Sequence, residues 1–179
     1  MLQRVIKIRH AFRKIFRKLK RDRTPVFIID CGGWKADSVQ KLRKLFDPEC
    51  KYLMHTFEPN SAYAPFYKDL KNHILHTQAV WIYDGEINLF LEKQIPNQQY
   101  SDEQADSLLF QKINVDAQKS IKVPCVDFSK WILSNFMKSD YIILKMDIEG
   151  AEYAVLKKMI NEGSIKYITE FSSVPLLVE

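Results

Sequence analysis

The chain has 179 residues, 46% hydrophobic and 27% charged, with a formal net charge of +5. That length supports one substantial core and a short appendage, and no apolar run approaches the roughly 20 residues that a membrane-spanning helix needs. Cys31, Cys50 and Cys125 show no CxxC spacing, which argues against a disulfide framework or a thiolate zinc site and for a reducing, cytoplasmic compartment.

The charge is uneven. Residues 1–23 hold ten Lys or Arg against the single acid Asp22, so the remainder is net acidic. Within residues 1–24, Val5, Ile8, Phe12, Ile15, Phe16 and Leu19 recur at three- and four-residue steps, which predicts an amphipathic basic helix. It reads either as a peripheral anchor on an anionic membrane surface or as a cap on the core. Nucleic acid is disfavoured as a partner, because no Tyr or Trp is interleaved with the cations to stack on bases.

Residues 25–179 form the second unit. After Thr24-Pro25 the pattern alternates: strand VFIID, helix SVQKLRKLF, strand KYLMHTFEP, helix SAYAPFYKDLKN and strand HILHTQAVWIY. Asp84-Gly85 before INLFL predicts a two-residue hairpin. Residues 93–120 are polar with little periodicity and predict a long loop of functional type. Strand KVPCVDF, helix SKWILSNFM, strand YIILKMD, helix AEYAVLKKMINEG and strand IKYITEF follow. Strands alternating with helices imply an open, mostly parallel α/β sheet wound in both directions, with ligands beyond the carboxyl ends of its strands. His73 and His76, three apart on a strand, do not share a face and make a poor metal pair.

Three acids fall at strand ends: Asp30, Glu58 and Asp147. The turn after Asp30 begins like a dinucleotide fingerprint, but Trp34 and Asp37 stand where its second and third glycines belong. An acid in the first helical turn repels phosphate, so the expected ligand has none. S-adenosylmethionine meets that condition. Glu58 would accept from its two ribose hydroxyls, and Asp30 would serve its ammonium where Gly32 and Gly33 let the chain turn. In KMDIEGAE, Lys145 and Asp147 share a strand face and are candidates to take the proton of an acceptor hydroxyl. The alternative reading makes Lys145 a buried partner of Asp147, and Glu149 and Glu152 complements to a helix start.

VFIIDCGGWKADS, HTFEPN and LKMDIEGAEYAVLKKMI together resemble the FkbM-type family of S-adenosylmethionine-dependent methyltransferases, supported by VPCVDFSKWI, Ser107 and Glu170. The resemblance spans about residues 26–171. It implies a Rossmann-like class I methyltransferase sheet and O-methylation of a hydroxyl on a sugar, other glycan or secondary metabolite. It also implies cofactor contacts at Asp30, Gly32, Gly33, Glu58, Pro59, Asn60, Gln78 and Ala79, with Glu149 touching the acceptor. Trp34 stands where similar proteins place a small or amide residue and Ala36 where they usually have glycine, and the family's final strand hairpin is expected to be missing after ITEF. A catalytically inactive, membrane-associated relative and an RNA hydroxyl methyltransferase are the rival readings, and an oligomer would cover the edge so exposed.

Overall fold

The computed structural model describes residues 25–92, 107–108 and 115–172. The basic segment 1–24 and its expected helix lie outside the described residues, as do 93–106, 109–114 and 173–179.

The first apolar run forms β1 (Val26–Cys31), followed by α1 (Asp37–Phe46), β2 (Leu53–Phe57), a 3-10 turn (Ser61–Tyr67) and β3 (His73–His76). Next come β4 (Ala79–Trp81), β5 (Gly85–Glu92), β6 (Val115–Asp127) and α2 (Phe128–Asn135). The chain continues with β7 (Tyr141–Met146), α3 (Glu152–Glu162), a second 3-10 turn (Ser164–Tyr167) and β8 (Ile168–Phe171). The main sheet runs β3-β2-β1-β7-β8 with every pairing parallel. The fold is thus the expected Rossmann-like α/β architecture, and β8 is its edge among the described residues.

Period-2 alternation explains both covered faces. Ile29, Cys31, Ile142 and Leu144 pack with Phe128, Ile132, Val155 and Met159 of α2 and α3. The intervening Val26, Ile28, Tyr141 and Ile143 pack with Val39 and Leu42 of α1 and with Tyr67. The chain winds from β1 out to β3 and later returns to lay β7 on β1's other side, so the strand order reverses between β1 and β7. Asp30 and Lys145 are register partners across that switch point, where such sheets open a crevice at their carboxyl ends.

Four expected boundaries are corrected. The predicted helix SAYAPFYKDLKN is only a 3-10 turn, because Pro65 inside it has no N–H to donate and Asp69 and Asn72 are left-handed. The single strand expected from His73 to Tyr83 is divided between the two sheets. Asp84-Gly85 does not close a hairpin, since β6 lies between β4 and β5, parallel to one and antiparallel to the other. Asp84 accepts instead from the N–H of Asp127 and from Lys130 Nζ, both at 3.0 Å, fastening the β6–α2 junction. The expected loop 93–120 ends early, because β6 begins at Val115; Lys119 and Ser120 are polar as a strand's solvent-facing residues.

Candidate functional site at the switch point

Three strand exits converge. Gly32 N–H donates to the Phe57 carbonyl, and Asp147 N–H donates to the Cys31 carbonyl, both at 3.0 Å. Gly32 has φ +86, and a Cβ there would stand 1.9 Å from the Asp147 carbonyl oxygen. Only glycine allows the first turn and the end of β7 to meet so closely. A Cβ on Gly33 would stand 2.3 Å from Thr56 Cγ2 and 2.5 Å from the Tyr67 hydroxyl. Both glycines therefore serve close chain packing at these strand exits.

The same turn contains two left-handed residues with side chains, Trp34 (φ 47) and Ala36 (φ 68). The conformation of Trp34 is held from outside: its N–H donates to Glu58 Oε2 at 2.8 Å, and the Tyr67 hydroxyl donates to its carbonyl at 2.6 Å. Burial, with the nearby Glu58 and Asp30 carboxylates, pushes the Tyr67 phenol far up, which keeps it a donor. Lys35 Nζ lies over the Trp34 ring, 4.6 Å from its centre.

Glu58, just beyond β2, is buried. Its other oxygen, Oε1, accepts the Asn60 N–H at 2.8 Å, so one backbone donor on each oxygen fixes the carboxylate's direction. Pro59 and Asn60 lead into the first 3-10 turn, where Asn60 Oδ1 accepts the Ala62 N–H at 3.1 Å as a cap. Glu58 N–H donates to the His76 carbonyl at 3.0 Å, which ties this exit to that of β3. Gln78 and Ala79 lie just past that exit, at the passage to the small sheet; Gln78 is half-buried and Ala79 buried.

Asp30 and Lys145 are both buried. Lys145 Nζ donates to the Gly32 carbonyl at 2.6 Å, faces Asp30 Oδ1 at 3.2 Å and lies 3.9 Å from Asp147 Oδ2. Ser38 Oγ donates to Asp30 Oδ2 at 2.5 Å. Burial outweighs these partners and holds the Asp30 carboxyl above its usual range. The Asp147 side chain is 41% exposed, so it is the member of the trio that reaches solvent.

The turn after Asp147 is fastened from two directions. Glu152 reaches back so that its two oxygens accept the N–H groups of Ile148 (2.7 Å) and Gly150 (2.8 Å), the complement to a helix start that its position allowed. Glu149 is left-handed at φ 59 and half-buried, and its carbonyl accepts from Ser107 Oγ at 2.8 Å. Glu170 lies away from this turn, accepting from the buried Tyr141 hydroxyl at 2.9 Å.

Asp30, Gly32, Gly33, Glu58, Lys145 and Asp147 therefore meet at one end of the sheet, with Pro59, Asn60, Gln78 and Ala79 bordering the β2 and β3 exits. Sequence reasoning missed Ser38 and Tyr67. Ser38 had a signal, a hydroxyl in the first helical turn eight residues after a strand-end acid; Tyr67 had none, since it comes from an irregular turn. Carboxylate acceptors at these exits suit a ligand rich in hydroxyls, and an acid rather than a phosphate-binding residue, Asp37, opens α1, which has no side-chain cap at its N-terminus. Among the described residues, no three His, Cys, Asp or Glu side chains assemble a metal site.

The family model described as Methyltransferase FkbM domain matches residues 30–175. No curated protein and no solved structure shows a match to this chain.

Proposed function

The chain belongs to the FkbM methyltransferase family, and from that premise we propose that it uses S-adenosylmethionine to methylate a hydroxyl, on a sugar or a secondary metabolite. The observation that carries the reading is the fixed carboxylate of Glu58 at the β2 exit, beside the left-handed turn after β1. A carboxylate locked in direction is suited to accept from two vicinal ribose hydroxyls at once. Gln78 and Ala79, past the β3 exit, would border the adenine.

Asp30 works beneath the ligand, holding Lys145 and through it the Gly32 carbonyl at the place proposed for the amino-acid end. When bound, the cofactor supplies an electrophilic methyl on a sulfonium. Asp147, the exposed acid of the trio, is the proposed acceptor of the substrate hydroxyl's proton. Lys145, which donates to the Gly32 carbonyl and faces Asp30, is the proposed partner of Asp147 in handling that proton. Glu149 is the proposed acceptor contact. Displacement at a methyl needs donor and nucleophile in line, so alignment of two substrates supplies much of the rate.

Calorimetry of the full chain with S-adenosylhomocysteine tests the cofactor reading, which absence of binding would overturn. Transfer of labelled methyl from S-adenosylmethionine to hydroxylated acceptors tests the reaction. Asp147→Asn is expected to spare binding and depress transfer. No helix among the described residues is long and apolar enough to cross a membrane. Contact of residues 1–23 with an anionic surface is a separate proposal, tested by sedimentation of the chain with anionic and neutral vesicles.

A further inference from the structure

Parallel pairing gives the main sheet two unlike ends. The candidate site occupies the carboxyl ends of the strands, where Asp30, Glu58, Asp147 and Glu149 stand against Lys35 and Lys145. The links that enter β2, β3, β7 and β8 cross the amino ends and carry Lys51, Lys68, Lys71, Lys138 and Lys166, all exposed. Exposed Lys44 lies beside them in the last turn of α1. The acids there are mostly engaged: Glu49 pairs with Lys51, Glu162 with Lys158, and buried Asp47 and Asp140 serve Arg43 and the Met137 N–H, so Asp69 is set against the row of cations. A lysine at a helix carboxyl end is ordinary, because it complements the helix dipole. That reason covers Lys44 but not the others, which lie in links; the last turns of α2 and α3 hold no basic residue.

These links form one fixed surface. The buried Arg43 guanidinium donates to the carbonyls of Tyr52, Lys71 and Asn72, each at 2.9 Å, which joins the entries to β2 and β3. Tyr141 N–H donates to the Pro25 carbonyl at 3.0 Å and the Phe136 ring meets Phe27 edge-on at 5.0 Å, so the entry to β7 is held against the start of β1. Lys138 Nζ lies over the Tyr167 ring, 5.9 Å from its centre, and brings in the entry to β8. Residues 1–23, with their ten Lys or Arg, join the body at this same end, next to Pro25.

Three apolar side chains stand among these cations. Leu45, Met137 and Ile160 are 63%, 65% and 62% exposed, in the last turns of α1 and α3 and just past α2. Non-aromatic apolar groups ringed by lysines match a lipid interface, where the former enter the acyl boundary while the ammonium groups stay with the headgroups. They do not match RNA, whose bases stack on aromatic rings.

We propose that the amino end of the main sheet is a docking surface for an anionic lipid bilayer, with Leu45, Met137 and Ile160 entering it, the lysines of the links against its headgroups, and residues 1–23 as a second attachment. Two attachments on one rigid end reinforce each other, because the first raises the effective concentration of the second. The candidate site then faces away from the bilayer, so its substrates arrive from water. This docking is independent of the chemistry at the other end of the sheet.

The test is sedimentation of the full chain with vesicles of phosphatidylcholine alone and of phosphatidylcholine mixed equally with phosphatidylserine, followed by an acetylation footprint of the lysines. Binding to the mixed vesicles and not to the neutral ones is expected. Lys71→Gln/Lys138→Gln/Lys166→Gln and Leu45→Ser/Met137→Ser, all at exposed positions, should each weaken it about tenfold or more at unchanged melting temperature. Bound vesicles should slow acetylation of Lys44, Lys71 and Lys138 severalfold and leave Lys35, beside the candidate site, and Lys122, on the small sheet, as reactive as before. Absence of binding, or protection of Lys35 equal to that of Lys138, overturns the docking surface. Binding that both variants retain in full assigns the contact to residues 1–23 alone and also overturns it, as does salt-sensitive retention on RNA without any preference for the mixed vesicles.

Discussion

Glu58 accepts the backbone N–H of Trp34 at 2.8 Å, so the β2 exit and the left-handed turn after β1 form one unit. An indole-bearing residue can occupy that turn because the turn's shape is set by its backbone's partners. Glu58→Ala should weaken S-adenosylhomocysteine binding about 100-fold or more, equivalent to about 3 kcal/mol for two charge-assisted hydrogen bonds. It should also lower stability by about 1–3 kcal/mol, since the N–H groups of Trp34 and Asn60 lose their acceptor. Calorimetry and thermal melting read the two effects separately, and unchanged affinity would remove the ribose assignment.

Gly32 and Gly163 offer a controlled comparison. Both are left-handed, at φ +86 and +81, but a Cβ on Gly32 would meet the Asp147 carbonyl at 1.9 Å, whereas one on Gly163 would meet nothing within 4 Å. Gly163→Ala is expected to cost about 1 kcal/mol, the conformational penalty alone. Gly32→Ala should cost about 3 kcal/mol or more, because the clash adds to it. Urea unfolding measures both, and equal losses would show that contact with Asp147 is not why glycine stands at position 32.

What could be read in advance followed the reach of each signal. Parallel strands buried on both faces read as apolar runs, so VFIID and YIILKMD announced themselves, and acids at their ends could be placed by register. Pairing across long separations leaves no local mark. Asp84-Gly85 is as good a hairpin signal as turn chemistry provides, yet β6 enters from 30 residues onward and takes both neighbours. The joining of Ser107 to Glu149, 42 positions apart, is equally invisible to periodicity. Lys145 could be placed on the cleft face, but only the structure reveals that it holds Asp30 and Gly32 as well as Asp147.

The Lys145–Asp30 pair should behave as a buried pair whose halves are worth less alone than together. Lys145→Met leaves the Asp30 carboxylate without its cation and is expected to cost about 3–5 kcal/mol at neutral pH. Adding Asp30→Asn should recover much of that loss, giving a coupling of opposite sign to the single losses. Asp30 already has a carboxyl raised by burial; without Lys145 it rises further, and the folded state then holds a proton that the unfolded state has released. The penalty of Lys145→Met should therefore be full above that raised value and shrink as pH falls through it toward the carboxyl's ordinary value. Chemical unfolding of the four species at two pH values checks this, and strictly additive losses would refute the pairing.

Acid stability should be governed in part by three histidines on the opposite half of the main sheet. His55 and His76 meet Nδ1 to Nε2 at 3.0 Å with stacked rings among Trp131, Phe57 and Phe136, while His73 faces Thr56 and Tyr67 on the other side of β3. Burial lowers His55 and His73 to about 4, helped by neighbouring rings and, for His73, by Arg43; burial also lowers His76. Folded rings thus stay neutral where unfolded ones protonate, so stability is full above the ordinary value of 6.5, falls as pH drops toward about 4, and levels off below it. Because each ring keeps some contact with water, the loss is about 1 kcal/mol for each of His55 and His73. His55→Phe/His76→Phe keeps an aromatic stack and removes two titrating groups, so its melting temperature should fall less between pH 7 and pH 5 than that of the parent. Parallel pH profiles for the two proteins would show that the pair does not set the acid limit.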